Sequence, residues 1–315
     1  MVANNKRESE PFWYKKFWND SLSHIYVEEE VAGSRLVKAA LDAFPNRRIV
    51  PIKDYKDLFY RPGQEFLVQK ESPKLVLAHR ADNFLCKDTN NNYHTPMMIN
   101  CLYNCAYCHL QALYPSANVV AFVNPEDYLS AALSALPEPP AHINLSNDTD
   151  ILAWEHIFGY VHIWADFARK HTKTTFEVRT KSANFESIAD IKPVSNMILS
   201  WSISAEQIIN SYEEGAPSLS ERLKDVKTAM QKGWNVRLYL DPVPDIQASQ
   251  NLVKQLVSII DMKGLYDVSV GGYNFLDDEK KKLKRLRPYL NLDRNEKDIV
   301  AVRDMLKNLA KIRSI

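Results

Sequence analysis

From residue 96 onward the chain alternates short strand-like runs with longer amphipathic stretches, and this alternation constrains the fold more than any other feature. Six runs have the length and composition of strands, at 96–100, 142–146, 175–180, 197–202, 235–241 and 266–270. Helix candidates lie between them, at 125–136, 151–170, 185–189, 218–232 and 249–262. Alternating strands and helices predict a parallel sheet with helices outside it.

Six such units are too few to close an eight-stranded barrel, but they suit an open, partial (β/α)6 TIM-like barrel. In that architecture the reactive groups lie at the carboxyl ends of the strands. Residues 1–94 contain a predicted helix at 34–44 and a predicted strand at 74–78. We therefore predict an α/β fold with a small N-terminal cap region (1–94), a partial barrel (95–275) and a C-terminal helical segment (276–315).

Composition excludes little but sets the context. The chain is 45% hydrophobic and 25% charged, as in ordinary soluble proteins, and it has no run of about 18 apolar residues that could span a bilayer. The first ten residues lack the apolar core of a secretory signal, so we expect a cytoplasmic protein with reduced thiols and no membrane partner. The net charge of +1 gives no global attraction to nucleic acid, so such a contact would require a local patch.

Three of the four cysteines, Cys101, Cys105 and Cys108, lie within eight residues, just after the first predicted strand. The CX3CX2C spacing gives an iron-sulfur cluster three protein ligands instead of four, which leaves one iron open to a small molecule. An open metal site implies chemistry. The alternative is structural zinc with His94 or His109 as the fourth ligand, although His109 adjoins Cys108 and cannot easily complete a tetrahedron with it.

The cysteine loop and its flanks resemble the radical S-adenosylmethionine (SAM) superfamily, and within it the spore photoproduct lyase family. The resemblance lies in CLYNCAYCHLQ at 101–111, AFVN at 121–124, SNDTD at 146–150, Thr180-Lys181, SWSIS at 200–204 and YEEGAPSLSERL at 212–223. These landmarks occur in the family's order, at nearly its spacings, across about residues 20–275. The cysteine motif with its trailing Leu110-Gln111 is the most specific of them.

The resemblance implies that Cys101, Cys105 and Cys108 hold a 4Fe-4S cluster whose fourth iron binds SAM. One electron, from a donor such as flavodoxin or ferredoxin, would cleave SAM to a 5'-deoxyadenosyl radical that abstracts hydrogen from a substrate. The candidates for SAM binding are Ser146, Lys181, Ser202, Glu213 and Arg222. The alternatives are a solvated strand end for Lys181, a backbone cap for Ser202 and a structural ion pair for Glu213 with Arg222.

The chain departs from the family's pattern at two positions of its radical relay. The family has a hydrogen-donating cysteine after the second strand, where this chain has Asn147, and a tyrosine after the third cluster cysteine, where it has His109. The preceding Tyr107 is retained, and Cys86 could replace the lost donor if the chain before the first strand folds over the barrel mouth. Tyr107 and Cys86 are therefore the catalytic candidates, and a small buried hydrophobe is the alternative for Cys86.

The family's C-terminal basic and aromatic hairpin has no counterpart at 290–315. Six cations at 280–287 could bind phosphate or belong to a solvated helix, and the aromatic residues at 12–18 could stack on bases or pack on their own domain. One hypothesis is a lyase-like radical SAM enzyme acting on a thymine photoproduct in DNA with altered hydrogen return. The second is a radical SAM enzyme with another substrate, and the third is a non-catalytic, metal-stabilised nucleic-acid-binding protein.

Overall fold

The computed structural model describes residues 22–80, 85–88, 92–127, 129, 132, 138 and 140–313. The aromatic residues at 12–18 and most of the helix predicted at 125–136 lie outside the described residues. The strands are β1 (His24–Glu28), β2 (Arg48–Ile52), β3 (Leu75–Ala78), β4 (Cys86–Lys87), β5 (Asn92–His94), β6 (Met98–Ile99), β7 (Asn104–Cys105), β8 (Val119–Phe122), β9 (Ala141–Asn144), β10 (Thr174–Thr180), β11 (Met197–Ser202), β12 (Glu213–Glu214), β13 (Asn235–Leu240) and β14 (Asp267–Val270).

The α-helices follow the predicted alternation. They are α1 (Arg35–Ala43), α2 (Tyr55–Phe59), α3 (Phe66–Glu71), α4 (Leu110–Leu113), α5 (Glu155–Phe158), α6 (Tyr160–Lys170), α7 (Glu206–Tyr212), α8 (Leu219–Gln231), α9 (Ile246–Ile259), α10 (Asp277–Leu286) and α11 (Glu296–Leu306). In the described part of the chain, none of them has both the length and the apolar character that a membrane crossing requires.

The larger sheet has seven strands in the order β4-β5-β9-β10-β11-β13-β14. Every neighbouring pair from β5 to β14 is parallel, and β4 pairs antiparallel with β5 at one edge. The predicted count of six parallel strands is therefore correct. Five of the six predicted strand positions also agree with the structure to within one or two residues.

The first predicted strand is wrong. The run at 96–100 contributes only β6, which pairs antiparallel with β8 in a second sheet of order β2-β1-β3-β8-β6. The first parallel strand of the larger sheet is β5, whose three residues are only half buried. Met97, Met98 and Ile99 are buried, but burial alone does not determine which sheet a strand joins. The smaller sheet thus combines strands from before and after residue 94.

The helix predicted at 151–170 is interrupted. A 3-10 turn (Ile151–Trp154) leads into α5, and α6 begins after Gly159, which has a φ of 64°. Gly159 takes this left-handed conformation readily because it has no Cβ, and it ends α5. The Glu155 carboxylate then accepts hydrogen bonds from the backbone N–H groups of Val161 and His162 at 2.7 and 3.1 Å, which fixes the start of α6.

The two faces of the larger sheet differ in polarity. On one face of β10, Phe176 packs against Trp164 and Phe167 of α6, with ring centroids 5.8 and 5.9 Å apart. On the other face, the buried Glu177 carboxylate accepts a hydrogen bond from Ser200 at 2.6 Å and pairs with Arg237 at 2.6 Å. Strands of parallel sheets are usually apolar on both faces. Here helix α6 packs on the Phe176 face, so the opposite, polar face is the one that lines the interior of the barrel.

Candidate functional site

The cysteine loop is held in place by contacts on several sides. Cys105 lies in β7, opposite Glu213 of β12 in an antiparallel pair, and its carbonyl accepts a hydrogen bond from the Gln111 amide at 2.6 Å. Just before the loop, Asn100 has a φ of 66° and donates to the carbonyls of Ser116 and Asn118 at 2.7 and 2.8 Å. The loop geometry is thus fixed by the surrounding fold.

The three clustered cysteines line one cavity of about 290 Å³ at the carboxyl ends of the parallel strands. Of the other residues predicted for the site, Tyr107, Ser146, Lys181 and Ser202 also line it. The remaining lining residues are Tyr103, His109, Leu110, Asn144, Asn147, Thr149, Asp150, Arg179, Thr180, Asp241, Pro242, Gly272, Tyr273, Asn274 and Phe275. Parts of the chain more than 170 residues apart thus meet around one space.

The donor set of this cavity fits an iron-sulfur cluster. Burial raises the pKa of all three thiols, to about 12 for Cys105, so three thiolates at this place require a cationic partner. Within the described residues, no group of three or more His, Cys, Asp or Glu side chains converges on a point that would suit a single metal ion. A cluster does not need such a point, because it binds each thiolate at a different iron.

Two hydroxyl groups of the SNDTD segment also support a ligand in the cavity. Ser146 and Thr149 are each 7% exposed, and their side-chain oxygens have no hydrogen-bond partner among the described residues. Buried hydroxyl groups are nearly always hydrogen-bonded in native proteins. Both residues line the cavity, so a polar ligand there would satisfy them.

Glu213 and Arg222 do not line the cavity but lie behind it, and neither side chain is exposed. The Glu213 carboxylate accepts hydrogen bonds from Arg222, from Ser204 at 2.9 Å and from the Tyr107 hydroxyl, and it pairs with Lys181 at 2.8 Å. Burial alone would raise the pKa of Glu213, but the charges of Lys181 and Arg222 outweigh it and hold this pKa below its usual range. Glu213 is therefore ionised, and it orients two residues that line the cavity, Tyr107 and Lys181.

Lys181 is not the solvated strand end of the alternative interpretation, since its side chain is 17% exposed. Its ammonium group contacts the Tyr107 hydroxyl at 3.2 Å and lies 5.3 Å from the centroid of the Tyr107 ring. Burial, followed by the charge of Glu213, raises the pKa of Tyr107 well above its usual value. The cavity thus presents a fixed cation beside a protonated phenol.

Asp150 is a supporting residue to which the sequence analysis gave no role. Its buried carboxylate accepts hydrogen bonds from the Thr180 hydroxyl and the Lys181 backbone N–H, both at 2.7 Å. Asp150 therefore ties the SNDTD segment to the end of β10 and helps to place Lys181. The sequence contained a signal for this contact, because SNDTD and Thr180-Lys181 both occur among the family's landmarks.

Arg179 and Asp241 were also missed. They form an ion pair that lines the cavity, and Arg179 donates to the Ser202 hydroxyl at 3.0 Å and lies over the Tyr239 ring at 3.9 Å. Their side chains are 34% and 21% exposed. The alternation of apolar and polar residues along β10 was the available signal, because it places Arg179 on the same face as Glu177.

Cys86 lies on β4, opposite His94 of β5, and burial raises the pKa of its thiol. It is not among the described residues that line the cavity, whereas Asn147 and His109 are. Burial also lowers the pKa of His109, so this imidazole is neutral at pH 7. The role predicted for Cys86 as a substitute hydrogen donor stays a prediction.

The basic segment at 280–287 forms most of α10. Four of its six cations form hydrogen bonds or ion pairs within the protein, and two of these four contact the cysteine segment and its flank. Lys282 donates to the carbonyls of Ala112 and Tyr114 at 2.7 and 3.3 Å. Arg287 donates to the side chain of Asn104 at 3.0 Å. α10 is therefore docked on the segment that carries the cysteines.

The cysteine segment has a third cationic neighbour in Lys70, at the end of α3. Its ammonium group donates to the carbonyls of Cys101 and Tyr103 at 2.8 and 3.0 Å. Burial lowers the pKa of Lys70, and the charges of the three nearby thiols act in the opposite direction.

Comparison with known proteins gives one consistent result. Residues 62–270, more than half of the chain, match a family model described as spore photoproduct lyase. The spore photoproduct lyase of Clostridium acetobutylicum is 22% identical over 185 residues, which is 58% of this chain and 55% of the relative. The spore photoproduct lyase of Bacillus subtilis is 21% identical over 228 residues, which is 70% of this chain and 67% of the relative. The first match thus spans about half the length of its relative.

Solved structures agree with this result at the level of the fold. A spore photoproduct lyase mutant with dinucleoside spore photoproduct has a TM-score of 0.80 at 17% identity and covers 92% of this chain and 98% of its own. Another mutant, with bound AdoMet and the same dinucleoside, has a TM-score of 0.77 at 18% identity, with coverages of 93% and 98%. The predicted α/β fold with a partial TIM-like barrel is confirmed.

Proposed function

This chain belongs to the spore photoproduct lyase family, and on that premise we propose that it is a radical SAM enzyme with a 4Fe-4S cluster. The observation that carries the proposal is that three thiols, one on a buried and two on half-buried cysteines, share one cavity with Lys181, Ser146 and Ser202 at the carboxyl ends of the strands. When bound, the cluster and SAM would supply a 5'-deoxyadenosyl radical. The most direct test is anaerobic reconstitution, followed by measurement of iron, sulfide and 5'-deoxyadenosine.

The residues of this chain would bind and orient the cofactors. Cys101, Cys105 and Cys108 would hold the cluster. The hydroxyl group of Ser146, which has no hydrogen-bond partner among the described residues, would form a hydrogen bond with SAM. Lys181 would pair with the carboxylate of SAM. Glu213 and Arg222 would act from behind the cavity as positioning residues. Glu213 contacts Lys181 and Tyr107, Arg222 pairs with Glu213, and neither of the two lines the cavity.

Replacement of Lys181 by methionine is expected to raise the dissociation constant of SAM about tenfold, since a charge-assisted contact in a partly buried site is lost. Calorimetric titration of SAM into reconstituted protein measures this constant. Lys224→Met, on the exposed side of α8, is the control and should leave it unchanged. An equal constant for wild type and Lys181→Met would assign Lys181 to another role.

The first candidate substrate is a thymine photoproduct in DNA, with altered return of hydrogen. Family membership favours it. Asn147, which occupies the position of the family's thiol, lines the cavity. Tyr107 also lines the cavity, with its ring 6.0 Å from that of Tyr273. The Tyr107 hydroxyl contacts the Lys181 ammonium group at 3.2 Å, and Tyr107 is the residue that we propose for a radical relay.

If this substrate is correct, Asn147→Cys should increase thymine release from the spore photoproduct dinucleotide about tenfold, because a thiol returns hydrogen to a carbon radical and an amide does not. Release is measured by chromatography under anaerobic conditions with reductant and SAM. Asn147→Ser, which also shortens the side chain but has no thiol, is the control. If wild type and Asn147→Cys both cleave SAM but neither releases thymine, this substrate is excluded.

The second candidate function is radical SAM chemistry on a different substrate. The observation that favours it is the Arg179–Asp241 ion pair in the cavity, together with Asn147 and His109. A fixed guanidinium beside a carboxylate suits a substrate that carries both hydrogen-bond acceptors and donors. Efficient repair of the dinucleotide by wild-type protein would refute this candidate.

The remaining proposals concern partners and location. We propose a one-electron donor of the flavodoxin or ferredoxin class, and DNA as the macromolecular partner of the first candidate substrate. We also propose a cytoplasmic location, which is supported by the need of reduced thiols for cluster assembly.

A further inference from the structure

Lys70 reaches the cysteine segment from a different part of the fold. It lies at the end of α3, before the smaller sheet's β3, and donates to the carbonyls of Cys101 and Tyr103 at 2.8 and 3.0 Å. The thiols of Cys101, Cys105 and Cys108 are all within its electrostatic reach. No function described above requires a cation at this place.

Lys282 offers a close comparison. It also donates to two carbonyls of the same segment, those of Ala112 and Tyr114. The charged neighbour that acts on Lys282 is Arg285, not a thiol. The two lysines therefore make similar backbone contacts but differ in the charged groups that act on them.

We propose that Lys70 is a positioning residue whose positive charge stabilises the reduced form of the cluster and so raises its reduction potential. The inference rests on the proposed function. Reduction adds one negative charge among the three thiolates, and a nearby ammonium group in a medium of low dielectric constant stabilises that charge. Net charge and hydrogen bonding around the cluster are established determinants of its potential.

The test is a redox titration of anaerobically reconstituted protein, followed by electron paramagnetic resonance, for wild type, Lys70→Met, Lys70→Arg and Lys282→Met. We expect Lys70→Met to lower the equilibrium constant for reduction about tenfold, which is about 59 mV for one electron. Lys70→Arg keeps the charge and should remain close to wild type. Lys282→Met loses two backbone contacts and should leave the potential unchanged.

Lys70→Gln is a second neutral variant, in case Lys70→Met does not load iron. If the equilibrium constant for reduction changes by less than about twofold in either neutral variant that loads iron, the inference is overturned. Loss of iron from both neutral variants, with iron retained by Lys70→Arg and Lys282→Met, would assign the charge of Lys70 to cluster assembly and would also overturn the inference. Wild-type protein that assembles no iron-sulfur centre would instead refute the proposed function, and the inference with it.

Discussion

Replacement of Glu213 by glutamine is expected to destabilise the protein by about 3–5 kcal/mol, because it leaves the Arg222 guanidinium buried without a counterion. Neither side chain of this pair is exposed. Glutamine preserves the shape of the side chain, so no cavity is created. The free energy of unfolding of the protein without cofactors, from urea denaturation followed by circular dichroism, measures the loss.

The pair itself need not contribute this much to stability. Burying two charges carries a desolvation penalty that their attraction only partly offsets, so loss of both partners is often nearly neutral. We therefore expect Glu213→Gln combined with Arg222→Met to recover most of the stability that Glu213→Gln loses. The coupling energy from the double-mutant cycle isolates the interaction from the cost of an unpaired charge.

Glu214 provides a matched control, because it is the next residue in β12 but is exposed. Its carboxylate accepts a hydrogen bond from the Asn104 amide at 2.7 Å. Glu214→Gln should change stability by no more than about 0.5 kcal/mol, as is usual for surface positions. If Glu213→Gln lowers the free energy of unfolding by less than about 1 kcal/mol, the charge of Arg222 is compensated by groups other than Glu213.

Residues that are close in sequence made the convergence of the three clustered thiols predictable. Cys101, Cys105 and Cys108 lie within eight residues, so their spacing alone brings the three thiols to one loop. The strands that carry Lys181 and Ser202 were predictable for a related reason. Side chains that follow parallel strands emerge at the same edge of a sheet, and the strand positions followed from local patterns.

Contacts between distant segments were not predictable in the same way. Glu213 and Tyr107 are 106 residues apart and meet because β12 pairs with β7. Lys70 reaches the cysteine segment across the boundary at residue 94. No local pattern marks such partners, because they depend on how the two sheets pack. The division at residue 94 itself remains a prediction.

The polarity of the barrel interior was available in the sequence but was not recognised. The run from Phe176 to Arg179 alternates apolar and charged residues, and in the run from Val236 to Leu238 the charged Arg237 stands between two apolar residues. Such alternation usually indicates a strand with one solvated face. In this protein that face is enclosed, and its charges pair with one another across the sheet: Arg237 of β13 pairs with Asp267 of the neighbouring β14 and with Glu177 of β10, two strands away.

Replacement of Cys105 by alanine is expected to abolish iron binding and to lower SAM cleavage more than about 100-fold. Even the loss of a residue that only supports a metal ligand lowers affinity or activity 10- to 100-fold, so loss of a ligand should exceed that. Cys101→Ala and Cys108→Ala should behave in the same way, because each would leave the cluster with two ligands. Iron and acid-labile sulfide per chain, and 5'-deoxyadenosine formed under anaerobic conditions, measure the two effects.

Cys86→Ala is the matched control for iron binding. Its thiol is on β4, at the edge of the larger sheet, and the variant should contain as much iron and sulfide as wild type. The three loop variants should remain folded, because the backbone contacts of the loop, such as the Gln111 amide to the Cys105 carbonyl, do not involve the thiols. Iron retained by any loop variant, or lost only from Cys86→Ala, would require a different ligand set and would remove the basis for placing SAM in this cavity.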